Sequence, residues 1–193
     1  MALLWLVAWF PSYWLVWGRT NFLHLCDVSV ILTCAGLWSG SALLLSSQAV
    51  SSILADILWS LDAAWRLLLG RHLIGGTEYM WDAQYPLAVR LLSLFHVFLP
   101  VIYVWALRRV GYDRRGWLLQ SAIALVLLPI SRLTDPATNI NYAFRDPLFH
   151  RTWGPAPAHL ALMLAGLIAI FYWPTHQVLA WVCAEEGRRG RKG

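Results

Sequence analysis

The sequence predicts an all-α membrane protein, a single bundle of six transmembrane helices, and three observations lead there. Apolar residue types make up 59% of the 193-residue chain, thirteen of them Trp, and charged residues only 13%; a soluble domain has no place on its surface for so much apolar material. The apolar residues gather into six segments, at about 2–17, 22–45, 49–69, 87–107, 116–134 and 158–183, parted by polar or Gly- and Pro-containing breaks. The basic excess, a formal net charge of +5, collects in the connection "RRVGYDRRG" and in the tail over 184–193. That is the pattern of cytoplasmic loops rather than of a nucleic-acid surface, so nucleic acid is not expected as a partner.

Taken in order, the first segment runs from Ala2 to Trp17 without a basic n-region or a small-residue cleavage site, so it reads as a retained span rather than a removed signal peptide. It is short for a crossing and carries Pro11 near its centre. The second opens on "NFLHLCDVSV", with His24, Cys26 and Asp27 close together. The third holds Asp56, Asp62 and Arg66. Asp62 and Arg66 stand four apart, acid first, the favourable order for an intrahelical pair, while Asp56 asks for a partner on another helix; all three read as structural. In the fourth, "LLSLFHVFLP" sets His96 among large apolar residues, where an imidazole needs at least one hydrogen-bond partner.

Arg108, Arg109, Arg114 and Arg115 follow the fourth segment and the basic tail follows the sixth. Two helices separate these clusters, so both fall on the cytoplasmic side, and alternation places the N-terminus there as well. The opposite side then owns the two long connections, 70–86 and 135–158, the only ones long enough to fold over a site. Trp14, Trp17, Trp81, Trp105, Trp117, Trp173 and Trp181 near segment ends are expected to form an aromatic belt, and the basic tail suits anionic lipid headgroups.

Three cysteines without paired spacing, two of them (Cys26 and Cys34) in one segment, point to thiols rather than a disulfide framework. At about 100° per residue, Cys26, Ser29 and Thr33 share one sector of the second helix, with Gly36 and Gly40 further along, while His24 and Asp27 lie on other faces. Two readings stay open. Small and hydroxylated residues let helices approach and hydrogen-bond across an interface. Alternatively, Cys26 is a nucleophile and His96 its general base, since a buried thiol needs a base to become the reactive thiolate. By residue count the two differ in depth by several ångströms, and their adjacency is not legible. A metal site from His24, Cys26 and Asp27 with His72 or His96 lacks helix-face spacing, and a bis-His haem on His96 and His176 lacks matched depth, so no metal or cofactor is expected. No nucleotide-binding motif is present.

"LHLCD" opening the second span, "LFHVFLP" in the fourth, and "NINYAFRDP" followed by "GPAP" before the last span resemble the bacterial YwaF-like integral membrane proteins. Their eukaryotic relatives are the transmembrane cysteine acyltransferases of ether-phospholipid remodelling. The likeness runs from about residue 21 to 175 and agrees in helix count; more remotely the arrangement resembles the androgen-induced hydrolases of fatty-acid esters. The resemblance implies the cytoplasmic (inner) membrane of a bacterium, membrane lipids as substrate, Cys26 as the acyl-accepting nucleophile and His96 as its base. It matches Asn141, Tyr142 and Pro147 to the family's last outer loop, where they order the loop or bind a headgroup. Asp27 would orient a group beside the thiol, and Ser29 or Asn141 would supply an oxyanion donor.

Overall fold

The computed structural model describes residues 2–189, with side chains placed from Trp5 to Cys183; the basic tail expected at the cytoplasmic face lies outside the described side chains. The described residues are mostly helical, with no strand among them. In order the helices are α1 (Ala2–Trp17), α2 (Leu25–Ser39), α3 (Ala42–Leu69), α4 (Leu87–Leu92), α5 (Phe95–Val110), α6 (Gly116–Ser131), α7 (Ala156–Gly166) and α8 (Trp173–Arg189), with a π turn at Leu167–Tyr172 joining the last two. Three stretches, Ala42–Leu69, Leu87–Val110 and Ala156–Cys183, are long and apolar enough to cross a membrane; Leu25–Ser39 and Gly116–Ser131 are apolar but shorter. None of the three cysteines forms a disulfide.

Helix α3 is the central column, packed against α2, α5 and α6. Its buried residues are largely polar: Ser46, Ser47, Gln48, Ser51, Ser52, Asp56 and Asp62. Large apolar side chains instead face outward, among them Leu61, Leu68, Val101, Val126 and Ile170. This inside-out partition suits a lipid surround, in which apolar burial drives nothing and close packing with interhelical hydrogen bonds holds the helices together.

The boundaries depart from the sequence reading in ways that matter for the site. The expected second span, 22–45, is cut at Gly40, which adopts φ 66° and ends α2, and Ser41 caps α3 by accepting from the Leu44 N–H at 3.3 Å. Hydropathy ran on through this corner because Ala42 to Leu45 are as apolar as the helix before; a left-handed glycine and a serine cap decide where the chain reverses. The fourth span breaks at Ser93 and Leu94, where His96 N–H and Val97 N–H bond three residues back at 3.2 and 2.9 Å. Pro100, lacking an N–H, leaves the His96 carbonyl without its usual helical donor, and Ser60 Oγ on α3 donates to it at 3.5 Å. In the last span the π turn ends just before Pro174, the wider turn making room for the ring.

The expected intrahelical Asp62–Arg66 pair does not form. The Asp62 carboxylate takes the backbone N–H groups of Leu73, Ile74 and Gly75 at 2.7, 2.6 and 3.0 Å, together with Thr77 Oγ1 and His72 Nδ1. Arg66 lies over the Trp81 ring at 5.9 Å. A folded loop offers a buried carboxylate several preoriented donors, which one flexible guanidinium on the same helix cannot match. Asp62 thereby ties the 70–86 connection onto the end of α3.

Gly116 sets the closest approach of α3 and α6: a Cβ there would stand 2.8 Å from the Ser46 carbonyl carbon and 2.9 Å from the Ser47 nitrogen. Because these are backbone atoms, Gly116→Ala is expected to destabilise the bundle by about 1–3 kcal/mol. Thermal unfolding in detergent micelles, compared with Gly166→Ala at an open position, measures it.

Candidate functional site

The site starts with two buried groups that helices α3 and α5 bring face to face. Asp56 and His96 are 1% and 7% exposed. Asp56 Oδ1 stands 2.6 Å from His96 Nδ1. The Trp59 ring, one helical turn below Asp56, stacks on the imidazole with centroids 4.7 Å apart and planes at 24°. Carboxylate and indole together fix the ring in position and rotation. In the neutral tautomer whose Nδ1–H donates to Asp56, Nε2 carries no hydrogen. One buried atom of the cluster, Asp56 Oδ2, has no hydrogen-bond partner among the described residues.

Cys26 sits in the first turn of α2, half-buried. His24 occupies the cap position, but its side chain makes no capping bond. The cap comes from far along the chain: Asn141 Oδ1 accepts from Leu25 N–H at 2.8 Å, and Asn141 Nδ2 donates to the Leu23 carbonyl at 2.7 Å and to Ser131 Oγ at 3.0 Å. Cys26 and Asp27 stand in the first turn of α2, where backbone N–H groups have no intrahelical acceptor. Asp56 bears electrostatically on the thiol, and His96 on His24; no hydrogen bond joins Cys26 to His96 among the described residues.

Both long connections converge here. Burial raises the Tyr79 hydroxyl well above its ordinary range, and Cys26 and Asp27 add to the shift while Ser93 opposes it; Tyr79 belongs to the 70–86 connection. Tyr142, of the 135–158 connection, has Cys26 and Glu78 as electrostatic neighbours. Tyr13 of α1 shares a 2.5 Å hydrogen bond with Ser93 Oγ, beside the helix break that precedes His96.

The backbone of the second connection is strained where it serves the site. Asn139, Asn141 and Tyr142 have φ of 44°, 53° and 57°. Asn tolerates this region and Tyr does not. The conformation is held by Asn139 Oδ1, which accepts from Phe144 N–H and Arg145 N–H at 3.0 Å each, by Asn141 on α2, and by a 2.9 Å bond between His159 Nε2 and the Tyr142 carbonyl. Removing the cap with Asn141→Ala is expected to weaken the first turn of α2 by about 1 kcal/mol. Faster amide exchange at Leu25 to Asp27, with α3 unchanged, is the readout.

The remaining sequence candidates have definite places. Asp27 accepts from Asn21 Nδ2 at 2.5 Å and so holds the turn before α2. Ser29 bonds Ser52 Oγ at 2.7 Å and Tyr103 Oη at 2.9 Å, and Thr33 bonds the same Tyr103 oxygen at 2.8 Å. The hydroxyl of Ser29 and the amide of Asn141 are thus both engaged in packing and capping, away from the oxyanion role considered for them. His72 is held by Asp62, and His176 by the Tyr112 hydroxyl at 2.8 Å.

Asp56 is the residue that sequence reasoning underrated. Its signal was present: an acid and an imidazole at membrane depth on neighbouring spans, each in need of one partner, satisfy each other. Trp59, Tyr13, Ser93 and Tyr79 carried no such signal, because aromatic and hydroxyl groups abound in this chain. Comparison of the chain with protein-family models, with curated proteins and with solved structures returned no match.

Proposed function

We propose that the chain is a lipid-active acyltransferase or ester hydrolase of a bacterial inner membrane, using Cys26 as nucleophile and His96 as general base. The reading includes six spans, with α4 and α5 as one column and α7 to α8 as another, and both termini cytoplasmic. Membrane lipids are its substrate and its solvent. The observation that carries the chemistry is the 2.6 Å Asp56–His96 hydrogen bond in the bundle interior. An imidazole oriented through Nδ1 presents a basic Nε2, the arrangement a thiol nucleophile requires.

In the proposed reaction, His96 Nε2 takes the thiol proton as sulfur bonds to the ester carbonyl carbon. The tetrahedral intermediate collapses to a thioester, and the departing alkoxide takes the proton from His96. Water or a lipid hydroxyl then attacks the thioester, its proton passing to His96, and the leaving thiolate is reprotonated. The Cys26 and Asp27 N–H groups are the oxyanion donors the turn offers.

A second reading, a non-enzymatic membrane protein such as a small transporter or assembly factor, is favoured by one observation: the hydroxyls of Ser29 and Thr33 are committed to Tyr103, as interhelical packing requires. Full-length protein in nanodiscs containing an alkyne-tagged acyl phospholipid separates the two. The enzyme gives a hydroxylamine-sensitive label that is lost in Cys26→Ser and kept in Cys34→Ser. No label, with lipid profiles unchanged by Cys26→Ser and His96→Ala, establishes the second reading.

A further inference from the structure

We infer that the connection between α6 and α7 carries a separate binding site for a phosphate-type anion, built on Arg132 and Arg145. A cleft of about 390 Å³ is lined by Arg132, Pro136, Ala137, Phe144, Arg145 and Thr152. Both charges on its lining are positive. Arg132, at the end of α6, is fixed from two sides: it donates to the Ala143 carbonyl at 2.9 Å and lies over the Phe144 ring at 4.5 Å. A guanidinium stacked and held in this way keeps donors for an oxyanion without an entropic cost at binding. Arg145 is exposed, and the Asn139 clasp on its own N–H and carbonyl orders the backbone that carries it.

The nearby acids are engaged by backbone donors of their own turns. Asp135 accepts from Ala137 N–H at 2.8 Å. Asp146 accepts from Leu148, Phe149 and Arg151 N–H and from Trp153 Nε1. Burial alone would raise the Asp146 carboxyl, but these bonds outweigh it and hold it at about 2, an anion already satisfied by its own turn. Among the described residues neither Arg132 nor Arg145 is paired with a carboxylate. Two uncompensated guanidinium groups facing one cleft, with a Phe ring and a Pro ring as walls, suit a tetrahedral oxyanion. Leu133, Leu148 and Phe149, 85%, 70% and 64% exposed, flank the same connection. An apolar rim beside a cationic cleft is what a phospholipid headgroup at a bilayer surface would meet, and a free phosphate would meet the same donors.

The test uses the full chain in a neutral detergent, with bound lipid counted by native mass spectrometry during titration with phosphatidylglycerol or phosphatidylcholine, and with inorganic phosphate as competitor. Phosphatidylglycerol is expected to be retained over phosphatidylcholine, and Arg145→Gln to weaken its retention about tenfold. Arg151→Gln, the same charge change outside the cleft, is expected to leave it intact. Displacement by millimolar phosphate identifies a small-anion site, and retention against it a headgroup site. Equal weakening by Arg145→Gln and Arg151→Gln, or equal retention of both lipids with no phosphate binding, overturns the assignment. Arg132→Lys, which keeps the charge but loses the planar stack, should fall between wild type and Arg145→Gln.

Discussion

Asp56→Asn is expected to slow acyl loading of Cys26 by about 10²- to 10⁴-fold while the bundle still folds. An Asn amide fits the space of the carboxylate, so packing is conserved, but it offers an N–H₂ to His96 Nδ1. Nδ1 then accepts, the proton moves to Nε2, and the nitrogen that should take the thiol proton is blocked. His96→Ala removes the base altogether and should lose at least as much. The two effects should not add: once the imidazole is gone, the residue that orients it has nothing left to orient. Single-turnover labelling of each single variant and of the double variant, with thermal unfolding as a control for the fold, measures this. Full additivity would show that Asp56 acts on something other than His96.

The largest stability effect is expected at Tyr103. It is 0% exposed, and its hydroxyl oxygen gathers Ser29 and Thr33 of α2 while the ring packs in the interior. Tyr103→Ala leaves a cavity and takes a partner from both Ser29 and Thr33, an expected loss of about 3–5 kcal/mol. Tyr103→Phe keeps the ring and gives up two interhelical hydrogen bonds. At roughly 0.6 kcal/mol for each such bond between membrane helices, about 1 kcal/mol is lost. Unfolding in mixed micelles should rank wild type above Phe and Phe well above Ala. A Phe variant as unstable as the Ala variant would show that hydrogen bonding, and not ring packing, ties α2 to α5.

The same tyrosine shows how one polar stripe divides into two parts. On a helical wheel Cys26, Ser29 and Thr33 share one sector. In three dimensions Ser29 and Thr33 meet Ser52 and Tyr103, whereas Cys26, one turn earlier, lies where α2 begins, at the Asn141 cap. Sector membership is a property of the helix; what each residue on the sector meets depends on the helices opposite. The beginning of α2 is itself a long-range fact, because the cap is Asn141, more than a hundred positions away. His24, the local residue at the cap, does not supply it.

By itself the sequence determined the helical class, the apolar outward surface and the approximate extent of the apolar segments, because these follow from composition and local periodicity. It also singled out Cys26 and His96 as residues needing explanation, since polar groups in apolar surroundings are costly wherever they lie; Asn141 entered only through the resemblance of its loop. Only the tertiary structure decided their partners. Asp56 rather than a residue near His96 in sequence holds the imidazole, the loop at 73–75 rather than Arg66 takes Asp62, and a left-handed glycine rather than a fall in hydropathy turns the chain at Gly40. The reason is geometric: a hydrogen bond is made or lost over about an ångström, and apolar periodicity sets which face of a helix turns inward without setting its depth or its neighbour.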